Sequence, residues 1–509
     1  MTTTNLPKRY FYFTPQELPE ESKKYIIKVL TVQLQSEYAD APDRSGAVCP
    51  TVEDKTWLDL QLAQEKQHGL GVSLILRGLG VDAMPYIREA EASVLEGSRK
   101  LDYFRIRMDD WVERTLTRVL AERTGAIQTV AGLGGWYVPL AIWHAKNYMD
   151  EALGHTVQGV RYAKDLIAQG RKEECQNAVN KFYPSCLDIF GGVDTPNEKK
   201  YLELGIKTLT NNQTRYLWIR SLEKDLNLLG LEIPKERWKG DRQEYPPEDS
   251  EKWSLYLTPE EVPEKVRGAL GRLLSVWLQS KYGRQSDHLV FPAPSPEEKL
   301  AVALQLKQEK AWGLDVAKML RGLGIDPNPL ADDAEQSPEA GRYKLEFLKR
   351  PLPKIWEEIC VKQLLAARAA AVGSLATFGS CLIPLAVWSG LHYEGEANFA
   401  EAWKERLKPM VRGGARELCQ KTLEEWYPYA LDLFGGDGTI NEQEYRNLGI
   451  KTATNAHVRE IFIEFVGRDV AELGLTMPEA CRGKKATYQP FARLEHAGKE
   501  ESRAATVPA

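Results

Sequence analysis

An internal duplication constrains this chain more than any other feature of its sequence. Residues 59–82, DLQLAQEKQHGLGVSLILRGLGVD, recur at 303–326 as ALQLKQEKAWGLDVAKMLRGLGID. YVPLAIW at 137–143 matches LIPLAVW at 382–388, FYPSCLDIFGG at 182–192 matches WYPYALDLFGG at 426–436, and LGIKTLTN at 204–211 matches LGIKTATN at 448–455. Order is kept throughout, and even the openings agree, FTPQELPEESKKY at 13–25 with LTPEEVPEKVRGA at 257–269. A chain of 509 residues is too long for one ordinary core, so each copy is expected to fold around its own interior. The expected layout is a first domain over 10–234, a linker over 235–252, a second domain over 253–478 and a tail over 479–509. The linker is charged and proline-bearing with no apolar period, and the tail is too polar to build a core.

Within each copy apolar residues return every three or four positions: Ile27, Leu30 and Leu34, then Leu58, Leu62 and Val72, then Val112, Leu116 and Val119. That period predicts helices, and strand-like alternation is rare. The expected class is all-α, with four long helices per copy forming an antiparallel bundle and further helices after it.

Net charge is −5 with both signs interspersed, which offers no basic surface for tracking phosphates, so nucleic acid is not an expected partner. No apolar run is long enough to span a bilayer and the opening Met-Thr-Thr-Thr-Asn lacks a signal-peptide pattern. A cytoplasmic protein without membrane association is expected. The seven cysteines, Cys49, Cys175, Cys186, Cys360, Cys381, Cys419 and Cys481, form no CxxC pair and read as apolar thiols rather than a disulfide, zinc or iron–sulfur framework.

The informative residues are ionisable ones on core-facing stripes, because a buried carboxylate is costly unless paired, protonated or metal-bound. Glu37 continues the Leu30–Leu34 stripe of the first helix. Glu65 shares a stripe with Leu58, Leu62 and Val72 on the second, and His68 follows it at i+3. On the third helix Glu122 lies between Val119 and Ala126, and on the fourth Tyr148, Glu151 and His155 share a face. Glu37 precedes Glu65 by 28 residues and Glu122 precedes Glu151 by 29, so two helical hairpins would each bring a half-site to one level. Carboxylates can bridge two divalent cations, imidazoles complete each coordination sphere, and open positions admit dioxygen. Glu151 and His155 are four apart instead of the usual three, which a single π-bulge would absorb. The competing readings are solvated helix faces, an Arg123–Glu122 ion pair, and ordinary packing or a supporting hydrogen bond for His144 and Tyr148.

These residues resemble the catalytic subunit of the phenylacetyl-CoA epoxidase family, ring-hydroxylating monooxygenases of ferritin-like fold. The resemblance covers most of each copy and is most specific at LAQEKQHGLGVSLILRGLG, GAIQTVAGL (125–133), HTVQG (155–159) and FYPSCLDIFGG. It implies two tandem ferritin-like bundles, with Glu37, Glu65, His68, Glu122, Glu151 and His155 as both metal ligands and catalytic set. Two departures accompany it. Counted from His155, Ala152 stands at the family's fourth-helix Glu and Arg123 at its third-helix acid, each one residue after the acid actually present. The resemblance further implies two ferrous ions, a manganese–iron pair being the alternative, with dioxygen, a small-molecule substrate that is first guessed to be a CoA thioester or carrier-activated, and electrons from a separate reductase. The sequence has neither a cysteine cluster nor GxGxxG, so it supplies no electron carrier of its own.

The second copy reads Lys281 for Glu37, Glu309 for Glu65, Trp312 for His68, Ala367 for Glu122, Glu396 for Glu151 and Ala400 for His155. No di-metal set survives there. A buried Lys281–Glu309–Glu396 cluster is expected, with the ammonium supplying the charge that metal would supply in the first copy. The family pairs a catalytic subunit with a related metal-free one, and this chain looks similar to that arrangement within one polypeptide. The leading expectation is thus a di-iron oxygenase that hydroxylates, epoxidises or otherwise oxidises an organic substrate, as a monomer or homodimer. The alternatives are a non-catalytic ferritin-like scaffold or binding protein, and a di-metal oxidase without organic substrate.

Overall fold

The computed structural model describes residues 11–39, 48–92, 108–192, 194–234, 255–283, 292–336 and 345–478. The expected linker over 235–252 and tail over 479–509 lie outside them. The protein is all-α: among the described residues there are helices, turns and two isolated β-bridges, and no helix is long and apolar enough to cross a membrane. The chain divides into two compact units, Met1–Trp253 and Ser254–Ala509.

In the first unit the helices are α1 (Glu20–Ala39), α2 (Val52–Gly78), α3 (Met84–Ala92), α4 (Trp111–Leu133), α5 (Val138–Tyr148), α6 (Thr156–Ala168), α7 (Lys172–Asp188), α8 (Pro196–Glu203) and α9 (Asn211–Leu229). A π-helical segment, Met149–His155, joins α5 to α6 into one long rod. Their ends are coded locally. Thr51 caps α2 by accepting from the Asp54 amide at 3.1 Å, and Asp54 Oδ2 accepts from the Thr51 amide at 3.1 Å, which satisfies donors that the first helical turn leaves open. Pro139 stands in the first turn of α5, where a missing N–H costs nothing.

Leu30, Leu34, Val72, Leu116 and Val119 are completely buried, so the predicted stripes mark the packed faces, except that Ile27 and Leu62 are only partly buried and their neighbours Ile26 and Gln61 take the inner positions. α1 lies against α2, α4 against α5, α6 and the π segment, and α2 against α5. An extended segment ties the ends together: the Tyr12 amide donates to the Trp136 carbonyl at 2.8 Å, the Val138 amide to Tyr12 at 2.9 Å, and the Trp136 amide to Gly205 at 2.8 Å. Gly205 holds φ at 60°, a left-handed conformation that glycine adopts without penalty.

The second unit repeats this plan with α10 (Glu264–Tyr282), α11 (Pro296–Gly322), α12 (Asn328–Gln336), α13 (Glu346–Lys349), α14 (Trp356–Leu375), α15 (Ile383–Met410), α16 (Arg416–Asp432), α17 (Ile440–Asn447) and α18 (Asn455–Glu472). It even repeats the tie, with Tyr256 donating to Cys381 at 2.8 Å, Ile383 to Tyr256 at 3.0 Å and Cys381 to Gly449 at 2.7 Å. Cys175, Cys186, Cys360, Cys381 and Cys419 are buried free thiols and Cys49 is half-buried; Cys481 lies outside the described residues.

Burial sorts the leucines into two energetic classes. Leu30→Ala, at a fully buried site, is expected to cost about 2–5 kcal/mol, whereas Leu60→Ala, 62% exposed, should stay within about 0.5 kcal/mol. Urea unfolding followed by circular dichroism checks the pair, and equal losses would contradict the assignment of faces.

Candidate metal centre

The site is built from α1, α2, α4 and the π segment. Glu37 stands near the end of α1 with its side chain 10% exposed, while Glu65, His68, Glu122, Glu151 and His155 are between 3% and 7% exposed. All six residues marked by their stripes are brought to one level, in two overlapping groups: Glu37, Glu65 and His68, and Glu65, Glu122, Glu151 and His155.

The groups form two matched positions. His68 Nδ1 lies 3.6 Å from Glu37 Oε2, 3.6 Å from Glu65 Oε2 and 3.7 Å from Glu151 Oε1. His155 Nδ1 lies 3.5 Å from Glu65 Oε1, 3.4 Å from Glu122 Oε2 and 3.6 Å from Glu151 Oε2. Each imidazole nitrogen therefore faces three carboxylate oxygens, and the two sets differ in tightness: all four donors at His155 lie within 4.8 Å of one another, but at His68 only Glu37 and Glu65 do so with the ring. Glu65 and Glu151 give one oxygen to each position, while Glu37 and Glu122 are terminal. These separations exceed hydrogen-bond lengths. They run slightly longer than the about 3.0–3.4 Å that separates two atoms bound to one ion at about 2.1 Å with angles of about 90–110°.

The polar atoms left over fit the same reading. His68 Nδ1, His155 Nδ1 and Glu151 Oε2 are buried without a hydrogen-bond partner among the described residues, an unfavourable state unless something else occupies them. The other nitrogen of each ring is held from outside. Asp150 Oδ2 lies 2.9 Å from His68 Nε2, and Gln64 Oε1 lies 2.8 Å from His155 Nε2. Each supporting residue directly precedes a shared glutamate, so one helical turn supplies a bridging oxygen to both positions and a brace to the opposite histidine. When a ring is neutral, an Nε2–H donated outward leaves the Nδ1 lone pair facing inward. Gln61, one turn before Glu65, donates to Glu122 Oε1 and, at 3.3 Å, to Glu65 Oε1. The Trp143 indole fastens α2 by donating to the His68 carbonyl at 3.1 Å.

Electrostatics register the crowding. Burial, reinforced by Glu65, pushes the Glu37 carboxyl up to about 7. Burial together with the charges of Glu122 and Glu65 raises Glu151 well above the usual carboxylate range. Burial opposes charge on His68, but Asp150, Glu37 and Glu65 outweigh it and push the imidazole up to about 12. Four carboxylates in one buried cluster favour any binder that brings positive charge.

The four-residue step from Glu151 to His155 is accommodated by the π turn. The Thr156 amide donates to the Glu151 carbonyl, an i+5 bond, and the Thr156 hydroxyl reinforces it at 2.8 Å. The wider turn brings His155 to nearly the angular position that i+3 gives in an α-helix. Gly125 on α4 provides the room, since a Cβ there would stand 3.4 Å from Glu151 Oε2. Ala152 and Arg123 are not part of the cluster. Arg123 is not the partner of Glu122: its guanidinium turns to Asp225, with Nε–Oδ2 at 2.9 Å, and the second unit repeats this as Arg368 with Asp469 at 2.6 Å. His144 lies away from the cluster, packed so closely on Gly132 that any Cβ there would overlap its ring, and burial lowers it to about 4. Tyr148 is buried in the packing.

In the second unit Lys281, Glu309 and Glu396 are 2%, 1% and 0% exposed. Lys281 Nζ donates to Glu309 Oε2 at 3.2 Å and to Glu396 Oε1, the expected cluster. A fourth member, His392, was not anticipated: its Nε2 lies 3.3 Å from Glu396 Oε1. Its ring stacks on Trp388 at 4.4 Å and meets the edges of Trp277 and Trp312. One correspondence is corrected. Between Trp143 and Cys175 the first copy has one residue more than the second has between Trp388 and Cys419, and α15 runs through this region without a π turn. Phe399, not Ala400, therefore answers His155, and its ring meets Trp312 at 5.8 Å much as His155 meets His68 at 6.4 Å.

Gln61, Gln64 and Asp150 were missed as site residues. The signal was present: LQLAQEK and LQLKQEK keep both glutamines in both copies, a polar pair beside an otherwise apolar stripe. No protein-family model matches the chain, and a comparison with curated proteins finds no significant match.

Two outcomes follow from these geometries. Deleting Gly154, which has open space around it, converts Glu151 and His155 to i, i+3 on an unbroken α-helix, so metal content per chain should be retained. Its loss, measured by plasma mass spectrometry on a variant with wild-type helicity, would contradict the π account. In the second unit, Lys281→Met leaves two buried carboxylates without their cation and should cost about 3–5 kcal/mol. Adding Glu309→Gln and Glu396→Gln should recover part of that loss in chemical denaturation.

Proposed function

We propose that the first unit is the catalytic unit of a non-haem di-iron oxygenase. The observation that carries this reading is the pair of matched positions, each with one imidazole nitrogen and three carboxylate oxygens, sharing Glu65 and Glu151. Four carboxylates balance two divalent cations, which resolves the cost of burying them. The mixed nitrogen and oxygen donors suit iron or manganese better than a thiophilic metal.

When bound, two ferrous ions supply the electrons and open coordination positions for reducing dioxygen and transferring one oxygen atom to an organic substrate. The remaining work belongs to the chain. Glu37, Glu122, His68 and His155 would hold the two ions from the ends, and Glu65 and Glu151 would hold both at a fixed separation. Asp150 and Gln64 keep the imidazole tautomers, and Gln61 restrains the carboxylates of Glu122 and Glu65 so that they do not swing into the open positions. Electrons would come from a separate reductase, and the resemblance makes a CoA- or carrier-activated compound the first substrate class to assay.

Purified protein supplied with ferrous iron and reductant should hold about two iron ions per chain, falling to about one or fewer in Glu65→Ala. Dioxygen uptake should yield an organic product heavier by one oxygen atom, labelled from ¹⁸O₂. Uptake without such a product favours a di-metal oxidase. About one iron or less in the wild type, or no change in Glu65→Ala, favours a scaffold.

A further inference from the structure

The second unit contains a cavity, open on one side, between α10, α13, α14 and α18. Trp277, Ala369, Ala370, Gly373 and Phe434 form much of its wall, and Lys451 contributes its cation. Lys281 also lines it, but its charge is taken by Glu309 and Glu396. No carboxylate lines the cavity among the described residues.

Comparison with the first copy shows what was altered. The positions answering Trp277, Ala369 and Gly373 are Gln33, Thr124 and Gln128, so the second copy has an apolar wall where the first has a polar one. Lys451 is unchanged from Lys207, and each ammonium bonds an asparagine one turn on, Lys451 Nζ to Asn455 Oδ1 at 3.0 Å and Lys207 Nζ to Asn211 Oδ1 at 3.3 Å. The polar neighbours are otherwise engaged: Ser280 donates to the Trp277 carbonyl, Thr377 bonds Ser389, and the Asn455 amide group donates to Gly436.

We infer that this cavity is a binding site for an apolar monocarboxylate, its hydrocarbon body against the Trp277–Ala370–Gly373 wall and its carboxylate on the Lys451 ammonium. An apolar body in a largely apolar pocket supplies the affinity, and one charge-assisted contact fixes the orientation. Burial lowers the Lys451 ammonium to about 8 against the opposing charge of Glu442, which leaves it mostly charged at neutral pH, and its Nζ also lies 5.8 Å over the Tyr445 ring. The inference concerns binding alone and does not depend on the oxygenase reading.

Calorimetric titration of full-length, EDTA-treated protein with octanoate, 1-octanol and octylamine tests it. Octanoate should bind once per chain, at least about tenfold more tightly than either neutral or cationic analogue. Lys451→Met should bring octanoate to within about twofold of octanol, Lys451→Arg should keep the preference, and Ala370→Phe, which fills the cavity, should remove binding of both. Absence of octanoate binding, equal affinities in the wild type, or undiminished binding in Ala370→Phe overturns the assignment. The wild-type series needs no variant to fold, so the proposal is decided even if a substitution disrupts the unit.

Discussion

Burying like charges at the centre of a helical unit is the constraint on which both halves of this molecule are organised. Glu65 and Glu151 in the first unit, and Glu309 and Glu396 in the second, sit on buried faces of their helices. Neither pair is tolerable alone. The first unit surrounds its pair with two more carboxylates and two histidines whose inner nitrogens have no partner. The second surrounds its pair with Lys281 and His392 under a roof of tryptophans. The first arrangement leaves donor positions that could hold ions, and the second is neutralised by the chain's own cation.

That difference separates two tasks that a duplicated domain can divide. A site awaiting ions must stay adaptable, and the long Nδ1–carboxylate separations of 3.4–3.7 Å leave room for atoms of another element. In the second unit an ammonium stands between the two carboxylates instead, and the wall of the neighbouring cavity is more apolar than its counterpart in the first unit.

Much of this was legible in the sequence because the signals were periodic or repeated. The duplication, the helices and the six stripe residues follow from spacing alone, and the Lys281 cluster follows from aligning one copy on the other. What escaped was whatever depends on side-chain direction. Arg123 adjoins Glu122 in sequence, yet points around α4 to Asp225. His392 carries no spacing relation to an ion-pair cluster until α15 turns it onto Glu396. Gln61 and Gln64 lie one turn and one residue before Glu65, but only the packing of α2 against the π segment shows that one restrains Glu122 and the other reaches His155. Ala400 was assigned by a constant offset that the extra residue of the first copy interrupts.

That extra residue has a genetic consequence. A helix is a ruler, and one added residue normally rotates everything beyond it by about 100°. Here the π turn absorbs the addition within Met149–His155, and the two copies return to register by Cys175 and Cys419. The two fourth helices therefore differ in length by a single codon as well as in side chains, and the length difference leaves the distal helices in place. The centre of such a domain can differ between a carboxylate–histidine cluster and an ion pair through changes confined to a few turns, without renegotiating the rest of the fold.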